Sequence, residues 1–405
     1  MSMKYDFETI LERKGHDALA LDAIGDPSNP GAPAAPEEGF DAIPMWVADM
    51  NFPIAPSVEN AILERMKHKT FGYFDPGDAY FHAIMNWQRD RNGVSDLRPE
   101  YIGHENGVLG GVVSALRVFI NPGDKVLLQT PAYVGFTHAL SDNGFVSVHS
   151  PLVKDAGNVW RMDFQDMEEK LRTERIHAAI FCSPHNPTGR VWEQWEIEEA
   201  MELFRKYDVS VISDEIWSDV IFPGFHHVPT QSVSEDAKMR TVALYAPSKT
   251  FNIAGLVGSY HVIYNDRIRD QVVKAGDSTH YNGMNVLSMH ALIGGYSEEG
   301  KEWADEMRNV IAENAAYACD FIENELPGVA VCRPQGTYML FVDFGEYLEK
   351  HSRTQEEVLR EGWKKGICWQ DGKAFFGPTA VRLNLALPLT RVKEAFDRMK
   401  KYIFI

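Results

Sequence analysis

Three polar residues follow short apolar runs in the sequence, and their side chains suit one kind of catalysis. Asn186 lies in Ser-Pro-His-Asn-Pro-Thr-Gly, Asp214 in Ile-Ser-Asp-Glu-Ile and Lys249 in Ser-Lys-Thr-Phe-Asn. Pyridoxal phosphate chemistry requires a lysine for the Schiff base and an anion that keeps the pyridine nitrogen protonated. Lys249 and Asp214 meet these two requirements, and Asn186 can bind the ring oxygen.

The phosphate of such a cofactor requires hydrogen-bond donors. Gly110 and Gly111 lie near the start of a predicted helix, where backbone N–H groups bind anions, and Ser248 adds a hydroxyl. Each residue also has a purely structural explanation, since Asp214 could cap a helix and Lys249 could be solvated at the surface. Taken together, the residues fit pyridoxal phosphate chemistry better than separate coincidences.

These side chains meet only if the surrounding elements bring them together. Apolar spacing predicts helices over 56–68, 78–91 and 107–119. Short apolar runs between later helical stretches predict strands over 125–129, 178–182, 209–213, 242–245 and 259–263. This alternation favours βαβ units around a mostly parallel sheet, whose ligands bind beyond the carboxyl ends of the strands.

The last third of the chain has a different pattern. It predicts a long helix over 301–325, a helix over 354–365, a final helix from Arg391, and strands over 329–332, 338–342 and 381–384. We therefore predict three parts: an N-terminal arm over 1–50 that packs on the small domain, a large α/β domain over 51–290, and a small α+β domain over 291–405.

Composition narrows the class of protein. The chain has 405 residues, of which 44% are hydrophobic and 24% charged, as expected for a globular protein of two to three domains. Its net charge of −18 argues against nucleic acid or an anionic membrane as a partner. The four cysteines are too scattered for a metal or redox site and are typical of a reducing compartment. With no secretory signal and no 18-residue apolar run, we expect a soluble cytoplasmic protein without a metal.

The three motifs, in this order, resemble the class I/II aminotransferase family of fold-type I pyridoxal phosphate enzymes, from about Ile43 to the end. The resemblance implies a large domain with a mostly parallel central sheet and helices on both faces, plus a smaller α+β domain. It implies that Tyr133 stacks on the cofactor ring and joins Lys249 and Asp214 as catalytic residues. It also implies that Arg382, Asn186 and Ala48 contact the substrate.

Two further stretches indicate a branch of this family. The segment Ile-Pro-Met-Trp-Val-Ala-Asp-Met-Asn-Phe-Pro at 43–53 and Phe-Gly-Tyr at 71–73 are similar to the MalY/PatB-type C–S lyases, which include cystathionine β-lyases. In this branch the resemblance implies a homodimer in which Tyr73 reaches the phosphate across the interface. Val257 stands where many aminotransferases carry a phosphate-binding arginine, an absence common in this branch.

The sequence departs from its relatives at two positions. Ala246 stands where a phosphate-binding serine often occurs, which removes one hydroxyl donor. Trp217 stands where many relatives carry tyrosine or histidine near the ring oxygen, and its indole can only donate.

Three functions stay open at this point. We expect a C–S β-lyase that converts cystathionine or another S-substituted L-cysteine to a thiol, pyruvate and ammonia. The same residues would equally serve an amino acid aminotransferase, whose substrate is also a small amino acid. Proteins resembling this branch can also regulate by binding a transcription activator, with incidental catalysis.

Overall fold

The structure is a computed structural model that describes residues 3–29 and 31–405. The helices are α1 (Leu19–Asp22), α2 (Pro56–Met66), α3 (Asp78–Asn92), α4 (Val108–Phe119), α5 (Val134–Asp142), α6 (Phe164–Thr173), α7 (Gln194–Lys206), α8 (Glu235–Arg240), α9 (Asp266–Thr279), α10 (Val286–Gly295), α11 (Glu298–Glu325), α12 (Gly345–His351), α13 (Gln355–Lys364) and α14 (Leu389–Tyr402). The described helices include none with the length and apolar character required to cross a membrane.

The strands form two principal sheets and two short pairs. They are β1 (Ile43–Pro44), β2 (Ile102–Glu105), β3 (Lys125–Thr130), β4 (Val146–Pro151), β5 (Val153–Lys154), β6 (Trp160–Arg161), β7 (Ile176–Cys182), β8 (Ser210–Asp214), β9 (Thr241–Tyr245), β10 (Ser259–Val262), β11 (Ala330–Val331), β12 (Met339–Asp343), β13 (Ile367–Cys368), β14 (Gln370–Asp371) and β15 (Ala380–Asn384).

The larger sheet has seven strands in the order β2-β10-β9-β8-β7-β3-β4. Its strands are parallel except β10, which is antiparallel to both β2 and β9. Side chains alternate between its faces: Val126 and Leu128 pack in the core on the side of α4, whereas Leu127 packs on the side of α6 and α7. Helices therefore cover both faces, as predicted for a mostly parallel sheet.

The second sheet has four antiparallel strands in the order β11-β12-β15-β14. It lies with α11 and α14 in the last third of the chain, giving the smaller α+β unit expected from the sequence pattern. The domain limits of 1–50, 51–290 and 291–405 stay predictions.

The N-terminal residues contact elements from the other end of the chain. Tyr5 N–H donates to Glu306 on α11 at 3.0 Å. Further along, β1 pairs in parallel with β13, with Ile43 opposite Ile367. In the segment that follows β1, the Met45 carbonyl accepts from Asn384 N–H of β15 at 2.8 Å, and Met50 N–H donates to Asn252 Oδ1, in the turn after β9, at 2.8 Å. This segment therefore runs between the two sheets.

Candidate active site

The carboxyl ends of three neighbouring strands place the three motifs side by side. Asp214 is the last residue of β8, with Cys182 of β7 opposite it on one side and Leu244 of β9 on the other. Asn186 follows β7 and Lys249 follows β9, and all three motif residues line one cavity of about 240 Å³. The parallel order of β7, β8 and β9 is therefore what gathers residues that are distant in sequence.

Lys249 lies in the wall of this cavity and is held by a backbone oxygen. Its Nζ donates to the carbonyl of Ala48 at 2.7 Å and lies 5.8 Å from the ring centroid of the buried Trp217. Burial lowers the pKa of Lys249 to about 8, and Arg382 acts in the same direction, whereas Asp49 and Asp214 oppose it. The amine is therefore far closer to its neutral form at physiological pH than an exposed lysine.

Asp214 is the carboxylate of the site. It is buried, and its Oδ1 accepts a hydrogen bond from Ile216 N–H at 3.1 Å. Burial raises the pKa of Asp214 to about 7, while the hydrogen bond from Ile216 and the charge of Lys249 oppose this shift. A carboxylate in this environment gains a large electrostatic stabilisation from any cationic N–H group placed beside it.

Asn186 and Arg382 are joined by a hydrogen bond. Arg382 Nη1 donates to Asn186 Oδ1 at 3.1 Å, and both side chains are buried. Because a guanidinium can only donate, the amide oxygen of Asn186 faces Arg382 and its NH₂ group is free to serve the cavity. Burial lowers the pKa of Arg382 to about 10, so the guanidinium is still charged at neutral pH.

The start of α4 supplies backbone N–H donors beside the cavity. Gly107, Val108 and Leu109 line the cavity. Gly107 precedes the helix with φ of +76°, a conformation that glycine adopts without strain. Val108 and Leu109 are the first two residues of the helix, and their N–H groups have no acceptor within it. The first peptide N–H groups of α4 are thus available to an anion.

The assignment of phosphate binding to Gly110 and Gly111 stays a prediction. Neither residue is among the described residues that line the cavity. Each packs against a neighbouring side chain instead: a Cβ on Gly110 would lie 1.9 Å from Tyr281 Oη, and one on Gly111 would lie 2.6 Å from a methyl of Leu244. The glycine pair permits close packing of α4. Gly111 N–H donates to the Gly107 carbonyl at 3.1 Å, whereas Gly110 is the third residue of α4 and its N–H belongs to the open first turn.

The remaining predicted residues occupy different places. Tyr133, Ser248 and Ala48 line the cavity, and the Tyr133 ring packs edge-on against Phe136 at 5.4 Å. Tyr73 lies in a segment without helix or strand, and its side chain is fully exposed. Within this chain the structure does not bring Tyr73 to the cavity.

The residues at the two departures, and Val257 at the position of the missing arginine, also line the cavity. They are Trp217, Ala246 and Val257. Trp217 is buried and packs edge-on against Tyr338 with ring centroids 4.5 Å apart, so it forms a rigid wall. Val257 is half-exposed, which places it where the cavity opens to the surface.

Sequence reasoning missed Tyr338. Its hydroxyl donates to the Ala48 carbonyl at 3.0 Å, the same oxygen that accepts from Lys249. Tyr338 is buried, and burial raises its pKa well above the ordinary value, so it acts as a neutral donor. No motif marks this tyrosine, since an aromatic residue beside a strand ordinarily indicates core packing.

The donor set of the cavity fits pyridoxal phosphate. One wall carries an amine of depressed pKa, another carries a buried carboxylate, and helix N–H groups provide an anion site. Lys249 would bind the aldehyde carbon, Asp214 would face the ring nitrogen, and the first N–H groups of α4 with Ser248 would bind the phosphate. A lysine, a carboxylate and an anion site in one cavity at the end of a parallel sheet define a fold-type I pyridoxal phosphate enzyme.

The chain belongs to the family "Aminotransferase class I and II", whose model matches residues 43–399. It is 35% identical to "Cystathionine beta-lyase PatB" from Bacillus subtilis over 364 residues, which cover 89% of this chain and 92% of that protein.

Solved structures show the same fold. Cystalysin from Treponema denticola, which contains a pyridoxal 5′-phosphate cofactor, superposes with a TM-score of 0.89 at 32% identity and covers 98% of both chains. The pyridoxal phosphate-bound C–S lyase from Staphylococcus hominis gives a TM-score of 0.88 at 29% identity, over 100% of this chain and 99% of that chain.

Proposed function

We propose that this chain is a pyridoxal phosphate-dependent C–S β-lyase. It cleaves cystathionine or another S-substituted L-cysteine to a thiol, pyruvate and ammonia. The observation that carries the proposal is the single cavity that joins Lys249, Asp214 and Asn186, with Arg382 bonded to Asn186 behind it. The names of its relatives, a cystathionine β-lyase and two cofactor-containing enzymes, select the lyase branch.

Each residue of the site has a separate role in the reaction. When bound, pyridoxal phosphate withdraws electrons from the substrate Cα and so makes its proton acidic. Arg382 holds the α-carboxylate through its guanidinium, which suits a carboxylate in both charge and shape. Asp214 keeps its negative charge beside the protonated ring nitrogen. Trp217 and Tyr338 form the buried side of the site and limit access of water to Lys249.

Lys249 moves the proton. Its depressed pKa supplies a neutral amine near pH 8, and the Ala48 carbonyl holds that amine at one point in the wall of the cavity. The amine takes the Cα proton, the electron pair left behind forms a Cα–Cβ double bond as the Cβ–S bond breaks, and sulfur leaves as a thiolate. Water hydrolyses the released enamine to pyruvate and ammonia. An aminotransferase would use the same base but would pass the proton from the substrate to the cofactor. The two reactions are therefore distinguished by their products.

The experiment incubates the loaded enzyme with L-cystathionine and no keto-acid acceptor, and measures pyruvate and free thiol together. Equal amounts of pyruvate and thiol, with none from Lys249→Ala, support the proposal. If neither product forms with cystathionine or other S-substituted cysteines, while an amino group passes to an added keto acid, the chain is an aminotransferase.

The active unit in this proposal is a cytoplasmic homodimer. Tyr73 and Phe71 are exposed side chains in a segment without helix or strand, as expected for residues that a second copy would cover. Tyr73 would then contribute its hydroxyl to the phosphate site of the other subunit. The cytoplasmic location is supported by the four cysteines, which are all buried and unpaired.

A further inference from the structure

The guanidinium of Arg382 is buried among uncharged acceptors. Its Nη1 donates to Asn186 Oδ1, while Nη2 donates to the Trp46 carbonyl at 3.1 Å and to Gln370 Oε1 at 2.6 Å. The ion pairs found among the described residues 3–29 and 31–405 do not include Arg382. A full positive charge is thus withdrawn from water and held by neutral acceptors and by the Phe375 ring, whose centroid lies 4.5 Å from Arg382 Cζ.

Arg382 also has an unused donor. Its Nε is buried and has no hydrogen-bond acceptor among the residues that the structure describes. Leaving a buried charged donor unpaired is costly, so this arrangement suits an anion that arrives with the substrate. The anion expected from the proposed function is the α-carboxylate of the amino acid.

Gln370 is placed against Arg382 by strand register. It lies on β14 directly opposite Arg382 of β15, so the two side chains occupy the same face of the sheet. The next residue, Asp371, points to the other face, where its Oδ1 accepts from Gln355 Nε2 at 2.7 Å and from Lys373 N–H at 2.9 Å. The alternation therefore puts an amide beside the guanidinium and keeps the neighbouring carboxylate away from it.

The amide has a defined orientation. Since Arg382 can only donate, Gln370 must turn its oxygen to the guanidinium and its NH₂ group away. A glutamate of the same shape would make the same contact but would neutralise Arg382 before any substrate arrived. Gln370 thus supplies the hydrogen bond without the charge.

We propose that Gln370 is a positioning residue for the substrate carboxylate, because its neutral oxygen fixes Arg382 and leaves the guanidinium charge to the substrate. This proposal rests on the proposed function for the identity of that carboxylate. It assigns a role to a half-buried residue outside every motif discussed above.

The test compares two probes on the enzyme loaded with pyridoxal phosphate. The probes are 3-(methylthio)propanoate, which carries a carboxylate, and the corresponding neutral amide, 3-(methylthio)propanamide. Neither has an amino group, so neither is turned over. Binding is measured by calorimetry for the unchanged protein and for Gln370→Glu. Gln194→Glu is the matched control, because Gln194 is exposed on α7 and the change in net charge is identical.

We expect Gln370→Glu to weaken binding of the carboxylate by ~10–100-fold and binding of the amide by less than ~3-fold. Gln194→Glu should leave both probes unaffected. Gln370→Met, which removes the acceptor without adding charge, should weaken the carboxylate by only ~3–10-fold. The absorption spectrum of the bound cofactor should be unchanged in all variants, which shows that the site is intact.

The proposal is overturned if Gln370→Glu binds the carboxylate as well as the unchanged protein does, or if it loses both probes equally. If Gln370→Glu does not fold, Gln370→Met is the deciding variant. The proposal is overturned if Gln370→Met binds each probe with the same affinity as the unchanged protein does. Failure of the unchanged protein to prefer the carboxylate also overturns it. These results do not depend on pyruvate release, so the lyase function is judged separately.

Discussion

Lys249 Nζ donates a 2.7 Å hydrogen bond to the carbonyl oxygen of Ala48, a residue 201 positions earlier in the chain. Tyr338 donates to the same oxygen at 3.0 Å. The N-terminal segment, the seven-stranded sheet and the residue preceding β12 therefore meet at one atom. Because both hydrogen bonds end on a rigid peptide group, they set the position of the amine as well as its surroundings.

Replacing Lys249 tests the assignment of the covalent site. Lys249→Ala should lower turnover by at least ~10³-fold, since the base and the point of cofactor attachment are both lost. Borohydride treatment of the loaded, unchanged protein should fix the cofactor to Lys249, as read by peptide mass spectrometry. Lys206→Ala, a surface change on α7, serves as the control and should retain activity. Labelling of a different lysine would falsify the assignment.

Asp214→Asn should change both the pH dependence of the unfolding free energy and the turnover of the loaded enzyme, and the two effects can be measured separately. The pKa of Asp214 is raised to about 7 by burial, whereas the ordinary value is 3.8, so the folded state favours the protonated form. Its stabilising contribution is present below the ordinary pKa and is lost as pH rises through 7. Relative to Asp214→Asn, the unfolding free energy of the cofactor-free protein should therefore fall by about 3 kcal/mol between pH 5 and pH 8.

Chemical denaturation at the two pH values measures this difference, and Asp208→Asn is the control because the Asp208 side chain is fully exposed. In the loaded enzyme Asp214→Asn should reduce turnover by ~10²-fold or more, because the ring nitrogen loses its anion. An equal stability difference at pH 5 and pH 8, or near-normal turnover, would show that the wrong carboxylate was chosen.

Gly189 should be intolerant of a side chain. It ends the Asn186 turn with φ of +69°, and a Cβ there would lie 2.5 Å from Pro334 Cβ and 2.9 Å from the Gly336 carbonyl. Gly189→Ala should thus destabilise the protein by about 2–4 kcal/mol through backbone strain and overlap. Gly224→Ala is the matched control, since Gly224 has φ of +92° and no atom within 4 Å of an added Cβ.

Thermal unfolding of the two alanine variants separates the destabilisation caused by atomic overlap from that caused by the positive φ. Gly224→Ala should lose only about 1 kcal/mol from its positive φ. Turnover should fall in Gly189→Ala alone, because the displaced turn also carries Asn186. Equal losses of stability in both variants would rule out the contact with residues 334–336 as the cause.

A shared site predicts complementation between two inactive chains. If Tyr73 serves the cavity of a second copy, Tyr73→Phe and Lys249→Ala chains that are mixed, unfolded and refolded together should recover ~one quarter of the activity of the unchanged protein. The recovery arises because half of the dimers combine one chain of each kind and contain one complete site. Refolding each variant alone is the control, and the mass of the assembly is measured by ultracentrifugation. Mixtures no more active than their components contradict the shared site.

The sequence predicted the inner strands of the larger sheet closely but missed the two at its edges. The run predicted over 242–245 is the buried strand β9, Thr241–Tyr245. By contrast, β2 contains Gly103 and His104, and β4 contains polar residues on both sides. Edge strands need not be apolar on both faces, so no continuous hydrophobic run marks them.

The sequence alone determined the family, the cofactor and the order of Asn186, Asp214 and Lys249. Each of these residues ends or follows a buried parallel strand, and the carboxyl ends of parallel strands lie at one edge of the sheet. Only the tertiary structure placed the Ala48 carbonyl on Lys249, brought the start of α4 to the cavity, and set Gln370 against Arg382. These contacts join segments that are distant in sequence, and they depend on backbone atoms and strand register. No local pattern of side chains predicts them.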